Sequence, residues 1–167
     1  MSSDVNFVRQ QGFDDAAPAA CSVAFPALMW QPRVIGVLVA FGLLLQTWQL
    51  FLVLGAILWW NVAVPSLNPF DALYNVLVAS RRGLPRLGAA PAPRRFSQGM
   101  AGTFMLAIAV AIRFEWHTTA LVIEAMLVIA LSALVLGRFC LGSYIFYVLT
   151  GRAAFANRTV PWAAATK

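Results

Sequence analysis

Cys140 stands two residues after Arg138 and three before Ser143, in the run Gly137-Arg138-Phe139-Cys140-Leu141-Gly142-Ser143. A thiol near a guanidinium is favoured as thiolate, so this stretch points to nucleophilic or redox sulfur chemistry. Cys140, Ser143, Tyr144 and Tyr147 fall at i, i+3, i+4 and i+7, one face of a helix. A buried cysteine packed under that aromatic face is the alternative reading. Glu124 is an acidic residue inside an apolar run, where a carboxyl is costly and marks a proton or ligand path or a hydrogen-bonded structural contact. His117 is the single histidine. It excludes a bis-histidine haem held within this chain and leaves open a single-ligand pigment or haem contact shared with a partner.

The elements that must position these groups are apolar. The chain of 167 residues is 61% hydrophobic and 11% charged, with a mean hydropathy of +0.78. Soluble domains are about 45–50% apolar and about 25% charged, so the composition is that of an all-α integral membrane protein. The length allows one domain with short loops and no separate soluble enzyme domain. Cys21 and Cys140 are too far apart in sequence to suggest a zinc site or a disulfide framework, and no metal site or cofactor is expected. The N-terminus lacks a basic region followed by an apolar core and carries Asp4, Asp14 and Asp15, so no cleaved signal is expected.

Residues 1–30 read as a cytoplasmic tail, flexible or serving as a docking arm. Val34 to Val64 is uncharged. As one helix it would be about 46 Å long, beyond the roughly 30 Å hydrocarbon core, so it divides into spans 32–47 and 48–64. Pro32 then takes the first helical position, with Arg33 snorkelling beside it. The turn at Gln46-Thr47-Trp48-Gln49 follows from length and polarity, since it has neither glycine nor proline. Asn68 and Pro69 start an amphipathic helix over about 69–81, with Phe70, Leu73, Tyr74, Leu77 and Val78 on its apolar face and Asp71 and Asn75 off it. It is too short to span and is expected in the interface. Spans 96–112 and 118–137 follow a basic Pro/Gly-rich loop, and a second interfacial helix covers about 139–150 before a basic tail, 153–167. The membrane domain is thus 31–152: four transmembrane helices as two hairpins, each followed by an amphipathic interfacial helix. Both halves share this plan.

Charge placement orients the bundle. Eleven of the twelve basic residues, including Arg81, Arg82, Arg86, Arg94 and Arg95 in the central loop, fall on one side of a four-span chain, and only Arg113 falls on the other. The positive-inside rule then places both termini in the cytoplasm, in a bacterial inner membrane. The net charge of +6 reads as topology and as attraction to anionic lipid, with no nucleic-acid partner. Trp59 and Trp60 lie where an aromatic belt, and a binding surface, would put them.

Pro91-Ala92-Pro93-Arg94-Arg95-Phe96-Ser97-Gln98 and the Gly137–Ser143 run resemble an integral-membrane family of bacteria, the domain of unknown function 4395. Its members are small multi-span proteins with a proline-arginine start, a Pro-x-Pro-Arg-Arg-Phe-x-Gln motif before the third helix and a Phe-Cys-x-Gly-Cys motif after the fourth. The match covers about Gln31 to Arg152. The resemblance implies no settled activity, and its cysteine pair implies thiol chemistry by analogy with other Cys-x-x-Cys motifs. Here Ser143 replaces the second cysteine, which leaves a monothiol role for Cys140. The first expectation for function is a non-enzymatic structural or accessory subunit of a larger membrane complex, energy-transducing or pigment-bearing. The second is a thiol-dependent redox or sulfur-handling protein using Cys140, and the third is a small transporter with Glu124 in its path.

Overall fold

A computed structural model describes residues 3–14 and 17–165; Asp15 and Lys167 lie outside the described residues. The regular structure of the described residues is all helical, with no strand among them. Helix α1 (Ser3–Gln10) is followed by α2 (Pro18–Leu45) and α3 (Trp48–Ala63). Helix α4 (Pro69–Tyr74) continues through a π-helical turn, Asn75–Ala79, and a last turn, Ser80–Arg82. Then come α5 (Ala92–Arg113), α6 (His117–Val135), α7 (Leu141–Leu149) and α8 (Ala153–Arg158). Among the described residues three helices are long and apolar enough to cross a membrane: Ala19–Leu45 within α2, together with α5 and α6. Helix α3 has 16 residues and reaches about 24 Å, short of the roughly 30 Å core. The expected fourth span is therefore an apolar helix of less than full length.

Helix α2 begins fourteen residues before the expected start at Pro32, and carries Pro26 and Pro32 in its interior. An interior proline breaks a backbone hydrogen bond and costs about 3 kcal/mol, which is why Pro32 reads as a first-turn residue. Packing offsets that cost: Cys21, Leu28 and Met29 on the early turns are buried against Val5, Phe7 and Val8 of α1. The N-terminal segment is thus a docked helix, not a loose tail. At about 1.5–3 kcal/mol for each large apolar side chain buried, Phe7 and Val8 contribute to holding it down.

The turn between α2 and α3 is made without glycine. Gln46 adopts φ 47°, and its side-chain Nε2 donates to Leu43 O at 2.9 Å, capping the helix it ends. Helices α3 and α5 form the tightest pair. A Cβ on Gly102 would stand 3.2 Å from Gly55 O, so the two backbones meet where both residues lack side chains. Around this crossing Phe51, Leu54, Leu58, Met105 and Ile108 form the main core with Ile35 and Val39 of α2.

Each short helix returns to the first long helix of its own half, α4 to α2 and α7 to α5. The exposed and buried faces of α4 differ from the amphipathic pattern. Phe70, Asp71 and Tyr74 are buried, while Leu73 and Leu77 are exposed. Asp71 turns the helix inward because its carboxylate meets a buried arginine on α5.

Candidate functional site

Arg94 and Gln98 are one helical turn apart on α5 and face the same way. Both are buried. Arg94 Nη2 donates to Asp71 Oδ1 at 2.7 Å and to Gln31 Oε1 at 2.9 Å. Gln98 Nε2 and Asn68 Nδ2 also donate to Gln31 Oε1, at 2.9 and 3.1 Å. Asn68 Nδ2 reaches Asp71 Oδ2 at 2.9 Å, while Asn68 Oδ1 caps α4 by accepting from Phe70 N. Four elements are tied at one point: α2, the start of α4, α5, and the loop before α4. The network also fixes its own orientation. A guanidinium only donates, so Gln31 must present its oxygen to Arg94, and Gln98 must then present its NH₂ to Gln31. That leaves Gln98 Oε1 buried with no hydrogen-bond partner.

Cys140 lies one helix further round. It is the N-cap of α7 and is 4% exposed. Its Sγ is 3.2 Å from Ser97 Oγ and accepts from Ser143 Oγ at 3.3 Å, and the two hydroxyls are 3.0 Å apart. Gln10, at the end of α1, accepts the Cys140 N–H at 2.8 Å. Close approach makes this cluster possible: a Cβ on Gly142 would lie 2.8 Å from Ser97 Cα. Two cavities meet at the thiol. One, of about 150 Å³, is an apolar cleft between α5 and α6 lined by Met100, Phe104, Met126 and Leu127. The other, of about 70 Å³, is lined by Gln11, Gln31, Arg94, Gln98 and Cys140. Ser97, Ala101, Leu131, Leu134 and Cys140 border both.

The guanidinium expected to activate Cys140 is directed elsewhere. Arg138, at φ 53°, donates to Ser3 Oγ at 2.8 Å and pairs with Asp4 at 2.7 Å, and it lies over the Phe25 ring. It anchors α1 to the turn before α7. Of the arginines assigned to the cytoplasmic surface, Arg81, Arg82 and Arg86 are exposed, but Arg94 is buried in the polar centre. Arg95 caps α3, with Nε and Nη2 at 3.1 and 2.7 Å from Val62 O. Cys21 is buried and forms no disulfide with Cys140.

Glu124 and His117 come together at the opposite end of the helices. With Gln46, Ile112, Ala120 and Leu121 they line a cavity of about 360 Å³. Glu124 is buried and takes one hydrogen bond, from Gln46 Nε2 at 3.3 Å; His117 is exposed. Trp59 and Trp60 are exposed on α3. Among the described residues no cluster of histidine, cysteine, aspartate and glutamate is arranged to hold a metal ion.

Tyr147, on the Cys140 face of α7, is a further buried polar group. Its hydroxyl donates to Asp14 at 2.9 Å, and Asp14 pairs with Arg152 at 2.7 Å. Burial first, and then the hydrogen bond and charge of Asp14, push its ionisation well above the usual tyrosine range, with Arg152 opposing.

Gln31, Asn68, Asp71 and Gln98 were not expected as site residues. Two signals for them were present: the i, i+4 spacing of Arg94 and Gln98, and the Asn-Pro-x-Asp start of α4, which has the spacing of a capping box. No curated protein and no solved structure matches the chain. A family model described as a domain of unknown function (DUF4395) matches residues 26–150, which include Gln31, Asp71, Arg94, Gln98 and Cys140 but not α1, and the chain belongs to that family.

Proposed function

We propose that this is a four-span protein of the bacterial inner membrane, both termini cytoplasmic, in which Cys140 works as a single thiol exchanging with small sulfur compounds. The placement of Cys140 carries the reading. Its sulfur stands at the start of a helix, between two serine hydroxyls, on the wall of two cavities. The attacking species is a thiolate, and the Ser143 hydroxyl and the helix N-terminus are groups that stabilise its charge before that charge passes to the leaving sulfur. The step is an exchange: Cys140–S⁻ attacks R–S–S–R′, a Cys140–S–S–R bond forms, and R′–S⁻ leaves with the electron pair. No net oxidant is required. Ser143 occupies the position from which a second thiol would release R, so the mixed disulfide persists until an outside thiol takes it.

The test uses the Cys21→Ser protein in its membrane. Methyl methanethiosulfonate should modify Cys140 in the folded protein, whereas a bulky sulfonated maleimide should not, because Cys140 is 4% exposed. A thiol inert to both reagents until the protein unfolds would end this reading.

A second reading, as an accessory subunit, is favoured by the length of α3. A helix of about 24 Å with exposed Trp59 and Trp60 is mismatched to a bilayer, and association with neighbouring helices is one way to relieve that. Extraction in mild detergent should then yield a particle larger than the 18.2 kDa chain in its micelle. A monomer that copurifies with nothing would remove it.

A further inference from the structure

The 70 Å³ cavity is lined in part by two glutamines, each with a buried side-chain atom that has no hydrogen-bond partner among the described residues. Gln98 Oε1 lacks a partner for the reason given above, and Gln11 Nε2 lacks one as well. Gln11 and Gln98 are 5% and 7% exposed, so solvent at the surface does not serve them. An unsatisfied buried polar group costs about 1–3 kcal/mol, so a vacant donor and a vacant acceptor at one small cavity call for a ligand that offers the complement of both. The cavity carries no net charge for an ion to neutralise, because Arg94 is already paired with Asp71. An ionic head is therefore a poor match, and a neutral head with one O–H donor and one carbonyl acceptor is a good one.

Size narrows the class. A cavity needs about 10–15 Å³ to admit one water, so 70 Å³ takes a few waters or a group of their size. A ring is excluded: cavities that accept benzene are about 150 Å³. The neighbouring α5–α6 cleft has that volume, and is lined by methionine, phenylalanine, leucine and alanine. Water gains little in such a cleft, but a hydrocarbon chain does. The two spaces share Ala101, Leu131 and Leu134, from opposing helices, in their linings.

We infer that the chain binds a protonated long-chain carboxylic acid, its head between Gln11 and Gln98 and its hydrocarbon chain in the cleft between α5 and α6. The carboxyl O–H donates to Gln98 Oε1 and the carbonyl oxygen accepts from Gln11 Nε2. The chain passes between α5 and α6 towards the bilayer. Gln11 belongs to the N-terminal segment that lies outside the residues matched by the family, so the docked segment completes the site. The inference involves no reaction at sulfur and stands apart from the thiol reading.

The experiment is native mass spectrometry of the full-length protein released from delipidated detergent micelles, titrated with dodecanoic acid at pH 5 and pH 8. Methyl dodecanoate, which offers an acceptor but no donor, and decyl-benzoquinol, which has a ring head, serve as competitors. The acid should be retained at least tenfold better at pH 5 than at pH 8, and better than either competitor. Gln11→Leu, which removes a donor with no other partner, should cut retention about tenfold while leaving the melting temperature unchanged or higher. Gln98→Leu should cut it too, at some cost in stability through Gln31. Equal retention of acid and ester, preference for the ring-headed competitor, or no retention at all because water alone fills the cavity, would each overturn the inference. Thiol labelling of the delipidated protein with no acid added reads the other proposal separately, since Cys140 borders both cavities and a bound acid would cover it.

Discussion

The two ends of the helix bundle hold buried carboxylates of opposite character. At one end Asp71 is met by Arg94 at 2.7 Å and by Asn68 at 2.9 Å, and both partners also bind Gln31. At the other end Glu124 has one hydrogen bond of 3.3 Å, from the side chain of a turn residue. In the sequence Glu124 stands out as an acidic residue in an apolar run, whereas Asp71 reads as a residue off the apolar face of an amphipathic helix. What separates them is the company brought by other segments. A charge becomes a structural centre when several elements converge on it, and Asp71 has partners from α5 and the loop before α4 that are themselves tied to Gln31 of α2.

The widest contrast should come from breaking the converging end. Arg94→Met leaves Asp71 buried without its cation, and removing one partner of a buried pair costs about 3–5 kcal/mol. The expected outcome is a large loss of thermal stability in detergent, or loss of the folded protein from the membrane. The double variant Arg94→Met with Asp71→Leu should recover most of it, because replacing both charges by apolar groups removes the desolvation cost along with the attraction. A double variant no better than the single would mean that the stability resides in the Gln31 and Asn68 bonds and not in the ion pair.

Next in size is the seam beside that centre. Gly142→Val places atoms against the backbone of Ser97, and steric overfilling of this kind costs about 1–3 kcal/mol. Because α7 is wedged away from α5, the Cys140–Ser97 contact should open. Methanethiosulfonate labelling of Cys140 should rise several-fold along with the fall in melting temperature. A stability loss with unchanged labelling would separate the seam from the thiol site.

The same end should carry an alkaline limit. Tyr147 is held neutral in the folded state, by burial and by the hydrogen bond it donates to Asp14, and ionises at its ordinary value of 10.0 when unfolded. The sign follows directly: a raised folded value gives stability that is complete below pH 10 and lost as pH rises above it. Unfolding midpoints measured from pH 8.5 to pH 11 should fall above pH 10, and Tyr147→Phe should flatten that fall. A slope unchanged in the variant would assign it to other groups.

The helical class and the turn at Gln46-Thr47 were legible because each depends on local chemistry: apolar run length and polarity. The start of α2 was not, because the penalty of Pro32 is local while the burial that offsets it comes from Phe7 and Val8, more than twenty residues away. Arg94 was misplaced for a related reason. The positive-inside rule counts arginines by position along the chain, and takes no account of one that turns inward to meet a carboxylate on another helix. Arg138 shows the same limit, since its neighbours in sequence include Cys140 but its guanidinium binds Asp4.

The smallest effect is expected at the other end, and it is the one that decides whether the comparison holds. Glu124→Gln keeps the shape of the side chain and retains an oxygen to accept from Gln46, so the single long hydrogen bond of 3.3 Å survives in neutral form. The change in stability should stay within about 1 kcal/mol, several-fold below that of Arg94→Met. If Glu124 were the centre of a proton or solute path, the same variant would leave stability alone and abolish flux, because glutamine cannot exchange a proton. Flux assays in proteoliposomes therefore separate the two cases where melting curves do not. Unchanged flux would leave the cavity shared by Gln46, His117 and Glu124 as a helix-end contact and keep the chemistry at the Cys140 end. Loss of flux would mean that the sparsely bonded carboxylate is the working one, and that Asp71 is bound too firmly by Arg94 and Asn68 to do anything but hold the fold.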